Sequence, residues 1–135
     1  MKLHGPPFDS VIEEMVYNIV MGGEALAFES IAVGYNSLVS LGIPNNPLWK
    51  DKLRYCQIIL ESDATTTTKT KAIRFVEVKT AAGSLIVNAA EVRAKGLPLG
   101  DLGVYEIKGV ENMANFRAIG LEAGKTHFLR VQYYG

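Results

Sequence analysis

From residue 54 onward, apolar and polar residues alternate in short blocks separated by turn-forming residues, as in strands whose successive side chains point to opposite faces. Residues 54–61 make the first block, with Cys56, Ile58 and Leu60 in one phase. Ala72 to Val78 makes the next, with Ile73 and Phe75 facing one way and Arg74 the other. Val104 to Lys108 and Phe116 to Ile119 read as further strands. Thr126 to Tyr134 closes the chain, its Leu129, Val131 and Tyr133 on one face and its Arg130 and Gln132 on the other. Turn chemistry fills the gaps: Asp63-Ala64 with Thr65 to Thr68, Ala81 to Ser84, the corner from Leu97 to Gly103, the tight connection Asn112 to Asn115, and Glu122 to Lys125. Leu85-Ile86-Val87 is a short strand. Asn88 is placed to cap a turn or two of helix through Ala94, which Gly96 closes.

The first half is less regular. Residues 1–8 are extended, because Pro6-Pro7 favours a polyproline-like path and excludes regular pairing. Asp9 to Met21 supports two readings. Ser10 with Glu13 resembles a capping box, and Phe8, Ile12, Met15 and Ile19 recur at helical spacing. Met15 to Val20 is nevertheless rich in strand formers, and Gly22-Gly23 is a hairpin signal. The favoured reading is a strand from about residue 14, paired through the glycines with residues 24–29. Ile31 to Ile43 is a mixed apolar segment broken by Gly34 and Gly42, and Pro44-Asn45-Asn46-Pro47 is a loop.

Short strands with turns every ~8–12 residues predict a mainly β fold. The expected architecture is a single antiparallel β-sandwich, jelly-roll or immunoglobulin-like, with at most one short helix. An extended arm over residues 1–13 precedes a sandwich domain over residues 14–135. No βα alternation, internal repeat or second-domain boundary is visible.

Composition narrows the function. Fourteen Lys and Arg balance fourteen Asp and Glu, so the basic excess that neutralises phosphates is missing and nucleic acid is not an expected partner. The chain is 48% hydrophobic and 21% charged, which separates it from disordered tails and gives it a core. Charge balance also weakens self-repulsion and favours association with copies of itself. The single cysteine excludes an intrachain disulfide, and Cys56 reads as a small buried hydrophobe. Without a signal-like start or an apolar run of ~18 residues, the expectation is a soluble protein with no membrane partner, made in a reducing cytoplasm.

Catalytic constellations are not visible. Gly120 to Thr126 resembles a phosphate-binding loop, but three residues separate the glycines where four are needed, and a strand follows where a helix should open. A type I or II hairpin turn is the better reading. His4 and His127 stand alone, without CxxC or HExxH, so neither a metal nor a cofactor is expected. Asp63 and Asp101 read as turn residues bonding to backbone. Glu13-Glu14 would point to opposite faces of a strand, and Ser10, Ser30 and Ser37 lack a nucleophile elbow. The expected protein is not an enzyme. Aromatic residues supply the remaining candidates: Tyr35, Trp49, Tyr133 and Tyr134 either stack on a sugar or a partner protein, or pack with their polar tips in water. Trp49 in particular reads as a lid on the core.

The order Ala72-Ile73-Arg74-Phe75, Gly100-Asp101, Tyr105-Glu106-Ile107, Asn115-Phe116-Arg117-Ala118-Ile119 and Thr126 to Tyr134 resembles small β-sandwich virion proteins of tailed bacteriophages. The resemblance covers roughly residues 55–135 and departs between Glu77 and Lys95, where the family has a short linker. It implies a virion component, made in the bacterial host: a capsid decoration or minor head protein, with a tail or neck part as the alternative. The implied partners are copies of the chain, a trimer among the options, and the major capsid protein or another virion protein. The implied contacts are the arm, with Pro6, Pro7 and Phe8, and the 35–50 loop, with Tyr35 and Trp49, together with Tyr134. A carbohydrate-binding module using Trp49 and the tyrosines is the competing class.

Overall fold

A computed structural model describes residues 24–77 and 88–135. Seven strands are present among them: β1 (Ala25–Val33), β2 (Tyr55–Glu61), β3 (Ile73–Val76), β4 (Leu97–Leu99), β5 (Val104–Lys108), β6 (Arg117–Gly120) and β7 (His127–Tyr134). They form two antiparallel sheets, one in the order β1-β7-β2-β5 and one in the order β4-β3-β6. The chain passes from one sheet to the other at β2–β3, β4–β5, β5–β6 and β6–β7, so most strands pair with partners remote in sequence. The predicted arm, the strand from residue 14 and the strand Leu85–Val87 lie outside the described residues.

Alternation builds the core. From the four-stranded sheet, Val33, Cys56, Ile58, Leu60, Ile107, Leu129, Val131 and Tyr133 point inward. Ile73, Phe75, Leu99 and Ala118 meet them from the three-stranded sheet, and Leu41, Leu53, Met113 and Phe116 close the ends. Phe75 links the sheets, its ring 4.8 Å from Tyr105 on β5 and 5.6 Å from Phe116. Burying a side chain of that size contributes roughly 1.5–3 kcal/mol from solvent transfer alone.

Among the described residues two α-helices are present, where at most one was expected. α1 (Ala89–Lys95) fits its sequence signals: the Asn88 side chain accepts from the Ala90 and Glu91 amides, and the Gly96 amide closes on Val92. α2 (Val110–Asn115) replaces the expected tight connection. Gly109, at φ 89°, turns the chain off β5, and the next six residues wind less than two turns that seat Met113 in the core. So short a helix leaves no periodicity to read. The corner at Leu97–Leu99 is also a strand, and it tolerates Pro98 because β4 is the edge of its sheet. β1 runs to Val33, past the expected end at residue 29.

The outer faces of the two sheets differ. Ile119 and Val92 are fully buried but lie outside the shared core, because α1 packs against β3 and β6 on the far face. Arg74, between two inward-facing residues, reaches the Gly96 carbonyl on that side. No described element covers the far face of the four-stranded sheet.

Candidate interaction surface

That open face is laid out by strand register. From β1 across to β5 the outward rows are Ala32–Phe128–Glu61, Ser30–Arg130–Ile59–Val104, Phe28–Gln132–Gln57–Glu106, and Tyr134–Tyr55–Lys108. Exposed apolar side chains sit in three of the four rows: Phe28 is 83% exposed, Val104 53% and Phe128 39%. A shallow groove runs between Phe28, Gln132, Gln57, Ile59 and Arg130. A large aromatic left this exposed, beside Val104 and Phe128, makes the face a candidate contact surface.

Arg130 organises the middle of the face. Its Nε and NH2 donate to Glu61 Oε1 and Oε2 at 3.1 and 3.3 Å, its NH1 donates to Ser30 Oγ, and its guanidinium lies 5.1 Å from the Phe128 ring centre. An exposed ion pair of this kind contributes at most about 1 kcal/mol to stability. Its larger effect is orientation, because the arginine lies along the sheet with its fork already formed. At the end of the face, Tyr55 and Tyr134 stack with ring centres 4.6 Å apart and planes 9° apart.

The aromatic residues singled out from the sequence do not gather at one place. Tyr134 pairs opposite Ala25 at the start of β1, whereas Tyr35 follows the end of β1. Eight pairs of register between them, at about 3.4 Å each, put the two ends roughly 27 Å apart. Tyr35 is occupied: its ring lies under Arg93 at 4.2 Å, and its carbonyl accepts from Arg93 NH1. Trp49 is half-buried against the core, with Lys52 Nζ 5.7 Å from its ring. Tyr133, grouped with the exposed aromatics in sequence, is fully buried. It shares the inward phase of Leu129 and Val131, and its hydroxyl donates to Glu29. Pro6, Pro7 and Phe8 lie outside the described residues, as do His4, Ser10, Glu13 and Glu14. Phe28, Ile59, Val104 and Phe128 were missed. Phe128 had a signal, since it is an apolar residue in the polar phase of Arg130 and Gln132.

The turn carboxylates are tied up in structure. Asp63 accepts from the Thr65 amide and hydroxyl and from the Thr126 amide, which pulls its carboxyl down to about 2. Asp101 accepts from the Ser62 amide, which likewise lowers it. Glu122, in the segment that resembled a phosphate loop, instead accepts from the Thr66 hydroxyl and from the Thr67 amide and hydroxyl. That segment joins two strands, β6 and β7. Cys56 is fully buried, and burial pushes its thiol up to about 12, far from a nucleophile's range. Among the described residues no His, Cys, Asp and Glu side chains are grouped to hold a metal ion, and no helix is long and apolar enough to cross a membrane.

Neither family models, nor curated proteins, nor solved structures give a match to this chain.

Proposed function

We propose that the chain is a non-enzymatic structural component of a tailed-bacteriophage virion, acting as a capsid decoration or minor head protein. Its work is to associate with copies of itself and with the protein shell. In this reading the two sheets form a β-sandwich of the jelly-roll or immunoglobulin-like kind, as in the small virion proteins that residues 55–135 resemble.

The observation that carries the reading is the difference between the two outer sheet faces. One is covered by α1, with Ile119 and Val92 buried beneath it; the other presents Phe28, Val104 and Phe128 to solvent. A protein whose role is to be buried against others needs such a face and needs no reacting groups. The arm over residues 1–13 and the 35–50 loop are secondary contacts in the same scheme, adding affinity through linkage.

The test is density-gradient purification of particles from a lysed host culture carrying the coding sequence. The expected result is co-migration of the chain with particles, in a fixed ratio to the major shell protein, and its loss on Phe28→Glu. A chain found only in the soluble fraction overturns the reading.

A further inference from the structure

We propose that the open face of the four-stranded sheet is a homodimer interface, two copies packing sheet against sheet about a two-fold axis. The inference rests on the assembly reading above and names the partner of that face.

Size is the first argument. Strands about 4.8 Å apart and eight register pairs at about 3.4 Å make a face of roughly 500 Å², so two copies bury at most ~1,000 Å², the size of a weak, reversible dimer. Charge is the second. Outward-pointing Arg130 and Lys108 are matched by Glu61 and Glu106, two of each sign. A surface selected for the acidic or basic face of another protein would carry an excess of one sign. A surface that meets itself through a two-fold must be self-complementary. This one is neutral, with amide donors and acceptors from Gln57 and Gln132 beside its apolar groups. Sheets stacked in this way lie about 10 Å apart, which lets the Phe28 side chains reach into the facing sheet.

The experiment is sedimentation equilibrium on the full chain across a hundredfold concentration range. Wild type is expected at twice the chain mass, dissociating on dilution. Phe28→Glu and Val104→Lys, both at exposed positions that folding does not use, are expected to sediment as monomers with unchanged circular dichroism. Lys95→Glu, exposed at the end of α1 on the other sheet, is expected to remain dimeric. A monomeric wild type, or a dimer that survives both face variants, overturns the proposal. The virion reading fails separately: a dimer that never enters particles defeats that reading alone, whereas a monomer found in particles defeats only the dimer.

Discussion

The Asp63 amide donates to His127 Nδ1 at 2.9 Å, joining residues 64 positions apart at the end of the four-stranded sheet. Only a neutral imidazole can accept this bond, so the proton of His127 sits on Nε2, which is buried without a partner. Burial holds His127 below its ordinary 6.5, against the opposing pull of the Asp63 and Glu122 carboxylates. The unfolded chain therefore takes up a proton before the folded chain does, and stability falls as pH drops from 6.5 through the lowered folded value. Asp63 has a separate window: its stabilising bonds are present above 3.8 and are lost as pH falls through about 2. A urea-denaturation series from pH 8 down to about pH 1.5 should show both steps. His127→Gln should remove the upper one and leave the lower one.

Glu29 ties three segments together, accepting from the Tyr133 hydroxyl and from the Gly42 and Ile43 amides. Tyr133→Phe removes one of these bonds and should cost about 1 kcal/mol. Glu29→Ala leaves all three donors without their acceptor and should cost more, roughly 2–4 kcal/mol. Chemical denaturation midpoints at pH 7 check the order.

Phe75 bridges the two sheets through Tyr105 and Phe116. Phe75→Ala should cost about 3–5 kcal/mol, the usual range for emptying an aromatic site. Phe28→Ala, at a position 83% exposed, should change monomer stability by less than ~0.5 kcal/mol. Thermal melts of the two variants, at a concentration where the chain is monomeric, distinguish core from interface.

Leu102 adopts φ 60° in the turn between β4 and β5 and is 68% exposed. A branched side chain in the left-handed region costs roughly 1–2 kcal/mol, and little burial compensates. Leu102→Gly should therefore leave stability unchanged or raise it by about 0.5–1 kcal/mol, a rare direction for a leucine replacement. The melting temperature gives the sign.

Period-two alternation is legible wherever one sheet face is buried, which is why Ile73 and Phe75, and Leu129 and Val131, fell on the correct side. The α1 boundaries were legible because Asn88 and Gly96 are end signals in themselves. α2 was not, since fewer than two turns make no pattern, and β4 was hidden by Pro98, which an edge strand tolerates. Strand order depends on contacts such as Ala25 with Tyr134, which no local rule encodes. The open face was hidden for a related reason. Alternation says that Phe28 and Ile119 each point away from the core, but only the packing of α1 covers one and leaves the other in solvent.

The claim that the open face is where this chain meets its partners is tested most directly by hydroxyl-radical footprinting. Side-chain oxidation of Phe28 and Phe128 is compared between the dilute full chain and the chain in gradient-purified particles, with Leu97, half-exposed on β4 of the other sheet, as the reference. Strong oxidation of Phe28 is predicted in the dilute chain, with at least tenfold protection in particles and Leu97 less affected. Equal oxidation in both states, or a Phe28 already protected in the dilute chain, would contradict it.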